Sequence, residues 1–454
     1  MSEQTKVGAI VDRISLQVSS GALHAGERLP SIRRSAATFG VAKNTVVEAY
    51  ERLTSLGLLE SRPGSGFRVV QRPATPAGNP AKKILVEAVD RLSLMREQTE
   101  RLYEVRPGDA RAPSQWFEDL DLRFRSNRVD RDGPGVSQLT PWGYRPLRER
   151  LVLALSDRQI GVTPDQVLLT GGANHALDLI IRHFVQPGDR VLVDDPGYYP
   201  IFGKLKLAGA EIIGVTRTPA GPDLTSLAAA AVLRPKLFFT QSLAHNPTGG
   251  SLSPGTAYAV LRLAEQYEFR VVESDPFADI MPATAPRLAA LDQLKRVLYV
   301  GTFSKTLSFQ LRVGYLAAGL EDAAALADLK MVTITGTSEP GEQLVAEVMK
   351  SGRYLRHLRR LRSRIEAAHD EARTTYAEFG VTLPGSTGLY LWLPLPDDLD
   401  EIQVVRQAAA SGIFMAAGGV FAANPDGRPP ATRVNVAYAC DPRFLTFLRH
   451  VFVR

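Results

Sequence analysis

The segment that decides the fold is Gly301-Thr302-Phe303-Ser304-Lys305-Thr306, which follows the strand-like run Val297-Leu298-Tyr299-Val300. A lysine held in a rigid turn after a buried strand can lose water, and the lowered pKa makes its amine nucleophilic toward an aldehyde. The neighbouring hydroxyl groups and Arg312, seven residues on, are suited to bind a phosphate. Because Ser-Lys-Thr alone is a common surface tripeptide, the prediction depends on matching segments elsewhere in the chain.

Two of these segments lie upstream. Thr170-Gly171-Gly172-Ala173-Asn174 opens a helical pattern, and small residues there expose backbone N–H groups that can cradle a phosphate. Asp194-Asp195-Pro196-Gly197-Tyr198 follows the strand-like run 190–193, and an aromatic ring in this position can stack on a flat cofactor. Taken singly, these segments could be a plain loop and a core tyrosine.

Two more segments lie between them and Lys305. His245-Asn246-Pro247-Thr248-Gly249 is a plausible plain turn, but Asn246 could also donate to a phenolate oxygen. The strand-like run 270–275 ends in Asp275, and an aspartate there can keep a pyridine nitrogen protonated, which makes the ring an electron sink. Together, the segments predict a site for pyridoxal 5'-phosphate (PLP), which combines an aldehyde, a pyridine ring and a phosphate.

Residues 105–454 resemble a fold-type-I aminotransferase domain in the order of these motifs. The resemblance implies that Lys305 forms the PLP Schiff base, Asp275 pairs with the pyridine nitrogen and Arg433 binds a substrate or effector α-carboxylate as a bidentate guanidinium. It assigns the remaining cofactor contacts to the ring-stacking Tyr198, to Asn246 at O3′, and to a phosphate cup of Gly172, Ala173, Asn174, Thr302, Ser304 and Arg312.

Two positions depart from the family pattern. Phe277 stands where the family usually has a tyrosine that shares the O3′ contact, and Gln138 stands where a tyrosine usually reaches the neighbouring subunit's phosphate. The loss of one hydrogen bond to a charged group costs roughly 1.5–3 kcal/mol. We therefore expect an altered aldimine pKa and cofactor affinity, rather than abolished binding.

The first seventy residues have a separate pattern. Val7, Ile10, Val11, Ile14 and Val18 fall at helical spacing. Further signals predict a short helix after Ser31, a tight turn, a second helix from Asn44 and a glycine-tipped hairpin over residues 62–69. This order of elements predicts a winged helix-turn-helix.

The stretches 29–33, 40–46 and 62–66 resemble the GntR-type DNA-binding domain. In that resemblance, Lys43, Asn44 and Thr45 begin the recognition helix, where side chains reach base edges. The other implied DNA contacts, to phosphates or the minor groove, are Ser31, Arg33, Arg62 and the backbone of Gly64 and Gly66. Ten basic and six acidic residues give positions 1–72 four of the chain's six net positive charges, which suits phosphate binding, with plain solubility as the competing explanation.

The sequence predicts three regions. They are a winged helix-turn-helix over 1–71, a linker containing a helix over 72–104, and an α/β domain over 105–454 with a mostly parallel sheet and a small C-terminal α+β subdomain. The single cysteine, Cys440, fits a reducing compartment. With no signal peptide, membrane span or metal-ligating cluster recognised, we expect a cytoplasmic protein without a metal site.

Over almost its whole length, the chain resembles the MocR-type subfamily of bacterial GntR regulators. This implies a PLP-dependent transcriptional regulator that binds operator DNA and senses an amino acid or amine effector through an aldimine. It also implies a homodimer, since members of this subfamily are commonly domain-swapped head-to-tail dimers. Two alternatives are a catalytically active aminotransferase with an attached DNA-binding domain and a regulator with a vestigial PLP site. Phe277 favours at most half-reaction chemistry without physiological turnover.

Overall fold

The computed structural model describes residues 3–19, 23–62, 66–70, 90–100, 103–117, 140–383, 385–425 and 427–452. The chain divides into two compact units, 1–84 and 85–454. The predicted domain limits near residues 71 and 104 stay predictions. Within the described ranges, no helix combines the length and the apolar character needed to cross a membrane.

The small unit is a winged helix-turn-helix, which confirms this part of the predicted fold. Its elements are α1 (Glu3–Ser19), α2 (Ile32–Phe39), α3 (Lys43–Ser55), β1 (Leu59–Arg62) and β2 (Gly66–Val69). The Ser31 side chain caps the start of α2, and Gly40 ends this helix in the left-handed conformation at φ +63°. These two signals fix the length of the first helix of the motif.

A buried tyrosine joins the parts of the small unit. Tyr50 of α3 is 1% exposed, and its hydroxyl hydrogen-bonds the Ser35 hydroxyl of α2 at 2.7 Å. Its ring packs edge-on against Phe67 of the hairpin, with the centroids 5.1 Å apart. The apolar stripe of α1, including Val7 and Ile14, is buried in the same core. The orientation of α3 is therefore fixed by packing on three sides.

The large unit contains an eight-stranded sheet and a three-stranded sheet. The strands of the large sheet are β3 (Val167–Thr170), β4 (Arg190–Asp195), β5 (Glu211–Thr218), β6 (Gly221–Pro222), β7 (Leu237–Thr240), β8 (Arg270–Asp275), β9 (Val297–Thr302) and β10 (Gly314–Ala317), in the order β3-β10-β9-β8-β7-β4-β5-β6. Strands β5, β4, β7, β8 and β9 are parallel, as predicted. The sequence did not predict β10, which runs antiparallel between β3 and β9.

Helices cover both faces of this sheet. The α-helices described in the large unit are α4 (Arg91–Glu100), α5 (Arg145–Asp157), α6 (Ala173–Phe184), α7 (Pro200–Leu207), α8 (Leu224–Ala231), α9 (Pro254–Gln266), α10 (Leu288–Asp292), α11 (Leu320–Ile334), α12 (Glu339–Lys350), α13 (Gly352–Ala377), α14 (Glu401–Ala410) and α15 (Pro442–Phe452). In β4, Leu192 belongs to one core cluster, whereas Val191 and Val193 belong to the other. Because both faces of β4 are buried, its three central residues, 191–193, are all apolar.

The small sheet forms the predicted C-terminal subdomain. It consists of β11 (Tyr390–Pro394), β12 (Ala416–Ala417) and β13 (Ala431–Asn435), in the antiparallel order β11-β13-β12. In the large sheet, β4, β7, β8 and β9 end at one edge, and β3 points the same way because both it and β9 are antiparallel to β10. Ligands of open α/β sheets bind at this carboxyl edge, where the predicted motifs also lie.

Candidate functional site

The structure brings most of the predicted cofactor residues into one pocket at the carboxyl edge of the sheet. Those that line it are Ala173, Asn174, Tyr198, Asn246, Thr302, Ser304, Lys305 and Arg312. Two further predicted residues, Gly172 and Asp275, are next in sequence to lining residues. Arg433 is hydrogen-bonded to Asn246. Segments as far apart in sequence as 173 and 433 therefore meet here.

The lysine amine lies in this pocket in a state suited to nucleophilic attack. Lys305 Nζ donates to the carbonyl oxygen of Ala110 at 2.5 Å. Loss of water around the ammonium, followed by the nearby positive charge of Arg433, lowers the pKa of Lys305 to about 7. A large fraction of the molecules at neutral pH therefore carry the free amine.

An anion cradle lies at the start of α6. Gly172 precedes the helix at φ +85°, and no side chain within the described structure caps the helix, so its first N–H groups face the pocket end. Arg312 Nη2 donates to the Gly171 carbonyl at 3.0 Å, and a Cβ atom at Gly172 would lie 3.0 Å from the same nitrogen. The Thr302 hydroxyl donates to the Ser304 hydroxyl at 3.2 Å. Backbone, hydroxyl and guanidinium donors thus converge.

A fixed carboxylate lies at the end of β8. Asp275 Oδ2 accepts hydrogen bonds from Arg287 Nε at 2.7 Å and from the Tyr299 hydroxyl at 2.8 Å. Its other oxygen, Oδ1, is buried and has no hydrogen-bond partner in the described part of the chain. Sequence reasoning missed Arg287 and Tyr299, because neither lies in a motif that marks it as a partner of Asp275. The carboxylate has one oxygen committed to the protein and one left for a donor.

The predicted carboxylate-binding arginine is completely buried. Arg433 Nη1 donates to Asn246 Oδ1 at 3.0 Å, and Nη2 donates to the Gly108 carbonyl at 2.6 Å. The guanidinium carbon lies 5.0 Å from the ring centroid of Tyr390 and 4.8 Å from that of Phe421. The two rings hold the side chain by cation–π contacts. Arg433 Nε has no hydrogen-bond partner among the residues that the structure describes.

The predicted stacking ring and the atypical phenylalanine have different surroundings. The Tyr198 hydroxyl donates to Asn174 Oδ1 at 3.0 Å, and burial is the main cause that raises the pKa of Tyr198 to about 12. Phe277 is completely buried, and its ring packs edge-on against Tyr390 with the centroids 5.7 Å apart. Gln138, the second atypical position, lies outside the described residues.

Sequence reasoning missed one wall of the pocket. Met95, Gln98 and Thr99 of α4 line it, together with Arg111 and Tyr390. The sequence predicts a helix within residues 72–104 without assigning it to either domain. It packs within the large unit, where Arg91 Nε donates to the Val420 carbonyl at 3.1 Å. The mean polarity of α4 gives no local signal of a binding wall, since only its tertiary contacts place it there.

The small unit presents a second candidate site, at the start of α3. Lys43 and Asn44 are exposed there, as are Ser31 and Arg33 near α2. Thr45 is only 3% exposed, and its contact with base edges stays a prediction. In the hairpin, Arg62 pairs with Gly66 at φ +80°, which suits a tight wing. Gly64 lies outside the described residues.

The pKa of Lys305 gives a direct prediction. Reductive methylation of the PLP-free protein, followed by peptide mass spectrometry, should label Lys305 at a rate that rises with a midpoint near pH 7, whereas a solvated lysine rises toward about pH 10.4. Between pH 7 and about 10.4, the folded chain has lost this proton and the unfolded chain retains it. The desolvation of the Lys305 ammonium therefore lowers the free energy of unfolding fully below pH 7, and this cost declines as the pH rises above 7. Exposed Lys206 is the internal control. A midpoint near pH 10 at Lys305 would contradict the prediction.

Two family models match the chain. Residues 6–69 match the bacterial regulatory proteins of the gntR family, and residues 123–444 match aminotransferase class I and II. The large unit also resembles solved aminotransferases in fold. These include the kynurenine aminotransferase of Pyrococcus horikoshii (TM-score 0.71, 24% identity, 80% of this chain and 93% of that one) and the α-aminoadipate aminotransferase LysN of Thermus thermophilus (TM-score 0.70, 24% identity, 79% and 95%).

Similar proteins of matching length are named as regulators. The HTH-type transcriptional regulator YdcR of Escherichia coli is 28% identical over 92% of both chains. TauR of Rhodobacter capsulatus is 27% identical over 89% of this chain and 87% of its own, and the probable rhizopine catabolism regulatory protein MocR of Rhizobium meliloti is 27% identical over 78% and 73%. With its gntR-type DNA-binding domain joined to an aminotransferase domain that fills most of its length, this chain belongs to the aminotransferase class I and II family and has the domain combination of the MocR-type regulators.

Proposed function

We propose that this protein is a PLP-dependent transcriptional regulator that binds operator DNA and senses an amino acid or amine effector in the pocket of its large unit. The observation that carries the proposal is the set of polar groups in and next to the pocket. A desolvated amine at Lys305, a carboxylate oxygen without a partner at Asp275 and an uncapped helix start at Gly172 are found at its ends. The family models supply the DNA-binding half.

The residues present fit PLP at each of its polar groups. Asp275 Oδ1 needs a donor, and a protonated pyridine nitrogen is one. The start of α6, with Arg312 and the hydroxyls of Thr302 and Ser304, suits a phosphate. The Pyrococcus and Thermus aminotransferases were solved in complexes with pyridoxamine phosphate and with a phosphopyridoxyl leucine, respectively. When bound, PLP supplies an aldehyde that condenses with amines and a ring that withdraws electrons.

The chain's own residues would divide the work of holding the cofactor. Arg287 and Tyr299 fix the carboxylate of Asp275, which would keep a proton on the pyridine nitrogen. The ring of Tyr198 would limit the cofactor plane on one side. Asn246, whose Oδ1 is held by Arg433, would present its amide NH2 to the ring oxygen. Lys305 would be the point of covalent attachment, because a large fraction of its amine is unprotonated at neutral pH.

The attachment point is tested by removing the amine. The wild-type protein incubated with PLP should absorb in the visible, and borohydride should fix the cofactor on the peptide that contains Lys305. Lys305→Ala should fold, lose this absorption and lose the effector response. Lys330 is a matched internal control, since it is also buried and burial lowers its pKa to about 8, but it does not line the pocket. Fixation on Lys330 instead, or a Lys305→Ala protein that stays yellow after dialysis, would refute the assignment.

Signalling, and not turnover, is the role that the atypical residue favours. The ring of Phe277 offers no hydroxyl to the cofactor oxygen and is packed in the core against Tyr390. An effector with an amine and a carboxylate would displace Lys305 from the cofactor and pair with Arg433, which can favour one state of the small subdomain. The alternative, an active aminotransferase with an attached DNA-binding domain, would require steady consumption of an amino acid with a keto acid.

Arg433 separates effector recognition from cofactor and DNA binding. Arg433→Ala should keep PLP absorption and basal operator affinity, but lose the effector-induced change, which we expect to be about five- to a hundredfold for a coupling of roughly 1–3 kcal/mol. Arg433→Lys keeps the charge without the bidentate geometry and should respond weakly. Thermal melts check folding, because this side chain is fully buried. A normal response in Arg433→Ala, or a wild-type response that needs a keto acid and steady turnover, would contradict the proposal.

We propose that the protein is cytoplasmic, because its DNA-binding unit must reach chromosomal DNA. The names of TauR, MocR and the HTH-type regulator YdcR describe regulatory proteins, which supports a regulatory role for this chain. We propose a homodimer, with a domain-swapped head-to-tail arrangement as one form of it, since a fold-type-I site usually needs a partner subunit and a pair of winged helices would read two half-sites about one or more DNA turns apart.

Two substitutions distinguish base reading from phosphate binding. Asn44→Ala should cost about 1–3 kcal/mol at the operator and little on unrelated DNA, because Asn44 is exposed at the start of α3. Arg33→Ala should weaken binding to all sequences more evenly and flatten the dependence on salt. Fluorescence anisotropy at several salt concentrations measures both. Specific operator binding by a fragment of residues 105–454 alone would overturn the division of roles.

A further inference from the structure

Helix α4 forms a wall of the pocket that the cofactor contacts do not explain. Its residues Met95, Gln98 and Thr99 line the same pocket as the motifs assigned to PLP. Because the lining also includes Lys305, a molecule that reaches the amine lies within the same pocket as α4. This wall is therefore placed to contact the part of an effector that extends away from its amine.

Gln98 presents an unused hydrogen-bond donor on this wall. Its Oε1 accepts from the hydroxyl of Tyr199 at 3.0 Å, which orients the amide. Its Nε2 is buried and has no acceptor among the described groups. Buried donors in folded proteins nearly always find an acceptor, and leaving one unmade is unfavourable. A ligand atom that accepts hydrogen bonds would satisfy Gln98.

An ionic network makes this wall rigid. Glu97, next to Gln98 on α4, is fully buried and forms an ion pair with Arg106. Arg106 Nε also donates to Asp109 Oδ2 at 3.0 Å, and the other oxygen of Asp109 accepts from Arg111 Nε at 3.3 Å. Arg111 lines the pocket. The network holds Arg111 and, through Glu97, anchors α4, while Tyr199 orients the Gln98 amide, so both side chains are positioned before a ligand arrives.

The charge of the lining specifies the kind of acceptor. Arg111, Lys305 and Arg312 line the pocket, and no carboxylate is found among the lining residues that the structure describes. The proposed function assigns Arg312 to the phosphate, Lys305 to the cofactor aldehyde and Arg433 to the effector's α-carboxylate. It gives no role to Gln98 or to Arg111, whose guanidinium is paired with Asp109. A basic effector side chain would be repelled here, and an acidic one would find both a donor and a positive charge.

We propose that the effector is an amino acid with an acidic side chain, whose second carboxylate accepts a hydrogen bond from Gln98 close to the positive charge of Arg111. This inference rests on the proposed function for the position of the α-carboxylate at Arg433. It adds the class of effector and assigns α4, the first described helix after residue 90, as the element that reads the side chain.

Matched pairs of amino acids test the class. The PLP-loaded full-length protein is titrated with L-aspartate, L-glutamate and L-2-aminoadipate, and with their neutral counterparts L-2-aminobutyrate, L-norvaline and L-norleucine, while the cofactor absorption is followed. At least one acid should bind tenfold or more tightly than its neutral partner, about the gain of one hydrogen bond to a charged group. If none of the acids is preferred, the proposal is wrong.

A substitution on α4 tests the residue. Gln98→Met keeps the length of the side chain but removes both amide hydrogens, so it should lower the affinity for the preferred acid about tenfold and change that for the neutral partner less than twofold. Gln407→Met, the same change at an exposed position on α14, is the control and should change neither. Equal losses for acid and neutral ligands in Gln98→Met would show a merely structural role and overturn the proposal.

Calorimetry on the PLP-free protein separates this inference from the proposed function. Succinate, glutarate and adipate are compared with butyrate, pentanoate and hexanoate, none of which carries an amine. A preference for a diacid that Gln98→Met removes supports the acidic subsite. If the wild-type protein shows this preference but takes up no PLP, only the proposed function is refuted. Normal PLP absorption without any diacid preference would sink only the acidic subsite.

Discussion

The pocket depends on one backbone segment, residues 106–111, whose carbonyl groups hold the buried Arg433 guanidinium and the partly buried Lys305 amine. The carbonyl of Gly108 accepts from Arg433, and that of Ala110 accepts from Lys305. A carbonyl oxygen compensates a buried cation only in part, which is one reason why the pKa of Lys305 falls so far. The segment therefore holds the Lys305 amine and the Arg433 guanidinium in position, but its carbonyl groups supply no formal negative charge to neutralise either of them.

The same segment connects the two walls of the pocket. Asp109 is fixed by Arg106 and Arg111, and Asn435 of β13 donates to the carbonyls of Asp109 and Arg111 at 3.0 and 2.8 Å. One wall thus belongs to α4 and the other to the small C-terminal sheet. A ligand that draws Lys305 and Arg433 away from their carbonyls must alter contacts on this segment. Effector binding and the contacts between α4 and the small C-terminal sheet are therefore linked within the large unit.

The chemistry of the site could be predicted from local sequence, because its key groups lie at the ends of strands. Asp275 is the last residue of β8 and Lys305 lies three residues after the end of β9, and parallel strands bring their carboxyl ends to one edge. The partners of these groups could not be predicted in the same way. Arg287 reaches Asp275 from a loop before α10, and nothing in its own sequence neighbourhood marks it. Thr45 shows the same limit in the small unit, because its motif position does not reveal that its side chain is only 3% exposed.

The sequence by itself determined the order of the domains, the winged helix-turn-helix, the mostly parallel sheet and the lysine-centred pocket. Each of these follows from residue spacing and from motifs within a few residues of one another. Only the tertiary structure decided that β10 runs antiparallel, that α4 belongs to the large unit, and that Gln98 presents an unused donor beside the cations of the pocket. The physical reason is that local preference fixes an element, whereas hydrogen bonds and charges between residues hundreds of positions apart fix its neighbours.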